Sequence, residues 1–107
     1  MVGKMEKFNK ESVERLFKVM LSLGSIEECY KFFEDICTVK ELQDLAQRLD
    51  IALMLSEGKN FNQISSEVGA SSATISRVNK CLMYGNGGYQ KAIKIIKEKA
   101  NKQKKTD

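Results

Sequence analysis

Ser71, Ser72, Ala73, Ser76, Arg77 and Lys80 fall within ten consecutive positions, and together they suit one kind of chemistry: hydrogen bonding to oxyanions and to the edges of heterocyclic bases. A hydroxyl donates and accepts, a guanidinium presents a planar fork of donors, and an ammonium is a compact charge for a phosphate. Other chemistries lack their parts. The chain has no His, which removes His-based acid–base work and Ser–His triads. Cys29, Cys37 and Cys81 form no CxxC pair, so a zinc site is not expected. The glycine run at 85–88 has neither a Gly-Lys-Ser/Thr ending nor a strand before it, and it reads as a helix breaker rather than a phosphate loop. No enzyme, metal or cofactor is expected.

Two short helices hinged at Gly69 would position these residues. Ile64 and Val68, four apart, give the first helix one apolar side. Gly69 can adopt the left-handed backbone of a sharp helix exit, and Ser71 or Ser72 can cap the next helix. Ile75 and Val78, three apart, turn back onto the first helix, and Ser65 is small enough for close approach. Ser71, Ser72, Ala73, Ser76, Arg77 and Lys80 are then left outward, the pattern of a helix-turn-helix reading the major groove of DNA. Phosphate contacts are expected from Ser71, Ser72 and Lys80, with Lys59 and Lys91 at the flanks, and base contacts from Ala73, Ser76 and Arg77. Singly, each feature has a structural reading: a glycine between amphipathic helices, a serine cap, a solvated basic face. Their fixed register is what points to DNA.

The rest of the chain must scaffold this pair. Its 107 residues allow one domain, and 42% hydrophobic against 30% charged residues marks a globular class. Net charge is −3 over residues 1–58, +2 over 59–84 and +5 over 85–107, so positive charge gathers on the reader and the tail. Lys99, Lys102, Lys104 and Lys105 read equally well as a solubilising end. Six helices are expected. The first runs from about Lys10 to Ser22 and is stopped by Gly24. The second begins at Ser25 and the third at Thr38, with capping boxes Ser25/Glu28 and Thr38/Glu41; the third ends at Gly58. The reader pair covers about 60–84. The last helix, about 88–101, carries Tyr89, Ala92, Ile93, Ile96 and Ala100 on one side and Lys91, Lys94 and Lys97 on the other, before a polar tail at 102–107.

Ile51-Ala-Leu-Met-Leu55 is apolar nearly all round and needs covering on every side. Phe8, Phe17, Tyr30, Phe32 and Phe33 add large apolar groups to the first two helices. Residues of about 10–58 are therefore expected to pack against a second copy as a homodimerisation core, with a compact monomer as the alternative. Cys29 and Cys81 are expected in the core. An odd thiol count without a signal peptide suggests a reducing, cytoplasmic setting, and no apolar run is long enough for a membrane.

Thr38-Val-Lys-Glu-Leu-Gln-Asp-Leu-Ala-Gln-Arg-Leu49, Gly58 and Val68-Gly-Ala-Ser-Ser-Ala-Thr-Ile-Ser-Arg77 closely resemble the Trp repressor superfamily. The Tyr84-Gly-Asn-Gly-Gly-Tyr89 ending is similar to its YerC/YecD branch. The resemblance implies an all-α, six-helix, intertwined homodimer with a helix-turn-helix, acting on double-stranded DNA as a bacterial transcriptional regulator, a repressor in its best-known form. It also implies an effector pocket. The family's tryptophan site matches this chain at Arg48 and Arg77, but Val78 stands where a glycine belongs and Cys81 where a serine belongs. An isopropyl group overfills the space for an indole ring, and a thiol is a weaker hydrogen-bonding partner than a hydroxyl. Tryptophan is not expected to bind. Arg48 and Arg77 then either anchor another carboxylate effector or serve structure, Arg48 beside Asp44 or Asp50 and Arg77 toward DNA. The competing function is a helical protein-interaction module that keeps the fold without DNA binding.

Overall fold

The structure is a computed structural model that describes residues 9–106, with side chains described through residue 103. Phe8 and the side chains of Lys104 and Lys105, singled out from the sequence, lie outside the described set. Six helices follow one another: α1 (Lys10–Ser22), α2 (Ile26–Ile36), α3 (Val39–Ser56), α4 (Phe61–Val68), α5 (Ser72–Tyr84) and α6 (Gly88–Thr106). No strand occurs among the described residues, and the fold is all-α. The chain divides into two compact units, Met1–Leu42 and Gln43–Asp107, and the division falls inside α3.

The first unit is built by local signals. Asn9 caps α1 by accepting the Ser12 N–H at 3.0 Å. Ser25 caps α2 through the Glu28 N–H at 3.1 Å, but the box is not closed as expected. The Glu28 carboxylate reaches one residue further back, to the Gly24 N–H at 2.6 Å. Leu23, in extended conformation, ends α1, and Gly24 is not among the left-handed glycines; it receives the Glu28 carboxylate. At the head of α3 the Thr38/Glu41 box is complete, with bonds of 2.8 and 3.0 Å. The Thr38 N–H holds the Glu41 carboxyl below its ordinary range.

These helices leave their apolar sides uncovered. Neither α1 nor α2 holds a fully buried residue. Val13, Leu16, Val19, Phe32 and Ile36 line an open groove of about 420 Å³. Ile26, Cys29, Tyr30, Phe33 and Leu42 line a second, of about 180 Å³. Cys29 is half-buried rather than a core residue, as is Cys81 in the other unit, and all three thiols are free.

The second unit holds the core. Ile51, Ala52, Ile64, Ala70, Ile75, Val78 and Ile93 are all buried, with Leu53, Met54, Leu55, Val68, Leu82 and Tyr89 packed around them. The C-terminal half of α3 supplies its centre, as an apolar-all-round helix should. Ile93 brings α6 into the same cluster. Helix α6 continues to Thr106, past the expected end near 101. Beyond Gly88 the sequence offers no glycine or proline to stop it, and Lys, Glu, Gln and Ala all favour the helix.

Candidate nucleic-acid interface

The reader is assembled from α4 and α5 around one tight turn. Asn60 and Gln63 form a full capping box at the head of α4, each side chain accepting the other's backbone N–H at 2.9 Å. The Asn-x-x-Gln spacing of residues 60 and 63 is the sequence signature of this box. Gly69 closes α4 in the left-handed conformation, φ +70°, and its N–H donates to the Ser65 carbonyl at 2.8 Å. Any side chain there would be strained. The Ser65 hydroxyl does more than save space: it donates to the Ala70 carbonyl at 2.9 Å and ties the turn together. Ser71 is the cap of α5, accepting the Thr74 N–H at 3.2 Å, which leaves Ser72 as the first residue of the helix.

Helix α5 has two faces. Ile75 and Val78 are 0% and 1% exposed and lock onto Ile51 and Ile64 in the core. Ser71, Ser72, Ala73, Ser76, Arg77 and Lys80 are all exposed. Side-chain bonds to carbonyls hold the reader to its neighbours. Gln47 of α3 donates to the Val68 carbonyl at 3.0 Å. Gln90 of α6 donates to the Leu82 carbonyl at 2.9 Å. A Cβ at residue 85 would collide with the Cys81 carbonyl, so the exit from α5 requires glycine.

Lys59 does not join this surface as a free cation. Its ammonium binds both oxygens of Glu67, at 2.8 and 3.1 Å, bracing one end of α4 against the other. That hydrogen bond to Glu67 is the main reason its pKa is raised.

The other expected site residues come together differently. Val78 is in the core, Arg48 and Cys81 are half-buried, and Arg77 is exposed. Tyr89 of α6 is half-buried against the core, and burial raises its phenol pKa, the nearby Cys81 adding to the rise while Arg48 and Arg77 oppose it. The tyrosine appeared in the sequence only as part of an apolar stripe. Arg77, Lys80, Cys81, Tyr84 and Gly85 line an open groove of about 320 Å³. Among the described residues no cluster of His, Cys, Asp or Glu could hold a metal, and no helix is long and apolar enough to cross a membrane.

The sequence model of the Trp repressor protein family matches residues 11–97. The chain belongs to the Trp repressor family. It is 50% identical over 94 residues to the uncharacterised YerC protein of Bacillus subtilis (strain 168), covering 88% of this chain and 90% of that one. A crystal structure of a Staphylococcus aureus protein proposed to be a Trp repressor superposes with a TM-score of 0.83 at 42% identity, covering 88% of this chain and 94% of that one. A TrpR-like protein from Eubacterium eligens ATCC 27750 gives 0.81 at 45% identity, over 85% and 94% of the two chains. The Trp-repressor-like fold is therefore the fold of this chain, and the family is one of DNA-binding regulators rather than enzymes.

Proposed function

We propose that this protein is a cytoplasmic, homodimeric, sequence-specific regulator of transcription, acting as a repressor through α5 in the major groove. One observation carries the reading. Helix α5 buries Ile75 and Val78 and turns Ser72, Ala73, Ser76, Arg77 and Lys80 outward, directly after a left-handed Gly69. The N-terminus of α5 adds backbone N–H groups suited to a phosphate. Uncovered apolar side chains in the first unit support the dimer. Leu21, Ile26 and Val39 are 86%, 78% and 74% exposed, a surface that a second copy would remove from water. In vitro selection from a random duplex pool should yield a palindrome with half-sites about 34–36 Å apart. An unenriched pool would instead favour the protein-interaction module, whereas an enriched asymmetric product would keep DNA binding and overturn the dimer. The pairing of Lys59 with Glu67 takes one cation of the reader out of contact with phosphate and is what favours the protein-interaction reading.

The same reading makes the regulator independent of tryptophan. Val78 is 1% exposed and belongs to the core cluster, so its side chain occupies space that a corepressor would need. Calorimetric titration of L-tryptophan into the protein should give no saturable heat, and a saturating isotherm would refute the assignment of Val78.

A further inference from the structure

Helix α6 runs on beyond the core. Ile93 is buried and Ile96 half-buried, yet residues 97–103 are exposed without exception while the helix continues to Thr106. The seven helical residues 97–103 therefore stand outside the packed cluster, a rod of about 10 Å at the rise of an α-helix. A short helix gains little from propensity alone in water, so what this rod presents matters. Lys94, Lys97 and Asn101 recur at i, i+3 and i+7, within about 60° of one another around the helix, and are exposed, forming one polar strip flanked by Ile93 on one side and Glu98 on the other. Lys99 sits about 140° around the helix from Lys94 at 100° per residue.

The chemistry of this face narrows the partner. Ala100 is the only apolar residue after Ile96. A helix that lies in a membrane interface needs bulky apolar groups along one side, and a helix that docks in a protein groove needs apolar anchors at i, i+3 and i+7. Neither set exists here. Residues 97–107 carry five lysines against Glu98 and Asp107, which leaves a polyanion. Helix α6 packs on α5, and its Gln90 holds the Leu82 carbonyl, so the rod extends from a helix anchored on the reader.

We propose that the Lys94–Lys97–Asn101 face of α6 is a second DNA-contacting surface, gripping the phosphate backbone outside the base pairs that α5 reads. This rests on the DNA-binding reading of α5, and it assigns to α6 affinity without sequence preference.

Salt-dependent binding to two duplexes, one carrying the selected site and one of random sequence, tests it with the full chain. Each phosphate contact contributes about 0.9 to the slope of log K against log salt. The double variant Lys94→Gln/Lys97→Gln should lower that slope by about two on both duplexes while the ratio of the two affinities stays as it was. Lys99→Gln removes the same kind of charge from another side and should leave the slope within experimental error of the parent. Circular dichroism confirms that the helix persists in each variant. An unchanged slope in the double variant overturns the proposal. So does an equal fall in Lys99→Gln, which would mark a general charge effect. Binding to phosphatidylserine–phosphatidylcholine vesicles as tight as to random duplex would assign the face to a membrane instead. Failure of the parent protein to bind any duplex would overturn the DNA reading itself.

Discussion

Ile75→Ala is expected to lower the free energy of unfolding by about 2–5 kcal/mol, the range for truncating a large aliphatic side chain in a packed core. Ile75 has no exposed surface and lies in one cluster with Ile51, Ile64 and Val78. Its loss removes apolar contact from α3, α4 and α5 together. Small domains are stable by only about 5–15 kcal/mol, so this single change takes a large share. Ile75→Val should cost about 0.5–1.5 kcal/mol, since one methylene leaves a smaller gap. Ser76→Ala, one residue along on the exposed face, should stay within about 0.5 kcal/mol of the parent. The series is read by urea unfolding at one fixed protein concentration, because the proposed dimer would make apparent stability depend on concentration. If Ser76→Ala proved as costly as Ile75→Ala, the two faces of α5 would be exchanged. The assignment of Ser72, Ser76 and Arg77 to an outward surface would then fall with them.

Those faces were legible because the reader is governed by short-range rules. The spacing of Ile64, Val68, Ile75 and Val78 is a helical period interrupted at one glycine, and a glycine at φ +70° is what that interruption requires. Lys10 and Ser22 bound α1 as expected, and the Thr38/Glu41 box closed because both partners lie three residues apart on one turn. Features involving a choice among neighbours were not legible. The Glu28 carboxylate bonds the Gly24 N–H rather than that of Ser25. Lys59 and Glu67 are eight apart across the whole of α4, a separation at which neither helical neighbour spacing nor charge patterning predicts a pair. The Lys59 ammonium pairs with Glu67 inside the reader's own scaffold. Tyr89 was read as one more apolar position because its neighbours Arg48, Arg77 and Cys81 come from two other helices. The tail beyond residue 101 looked like a polar end because it lacks an apolar stripe, yet its residues are good helix formers and extend α6 without one.

Substituting the two exposed cations of α5 should separate recognition from attraction. Arg77→Ala is expected to cost about 1–3 kcal/mol on the selected duplex and to relax base preference at one position in each half-site, as for a guanidinium that holds a guanine edge with two donors. Lys80→Ala should weaken selected and random duplexes alike and reduce the salt slope by about one. The difference follows from placement on the helix. Both side chains are exposed and line one groove, but Arg77 follows Ser76 near the middle of the outward face, whereas Lys80 lies almost a turn further toward the C-terminus of α5. Arg77→Lys distinguishes charge from shape: an ammonium keeps the positive charge but loses the planar fork, so overall affinity should be largely kept while the base preference falls as in Arg77→Ala. Titrating fluorescent duplexes at two salt concentrations reads all three variants. An Arg77→Ala variant that loses affinity equally on both duplexes would move Arg77 to the phosphate backbone. Base recognition would then rest on Ala73 and Ser76 alone, whose small side chains can reach a base edge only if α5 sits deeper in the groove.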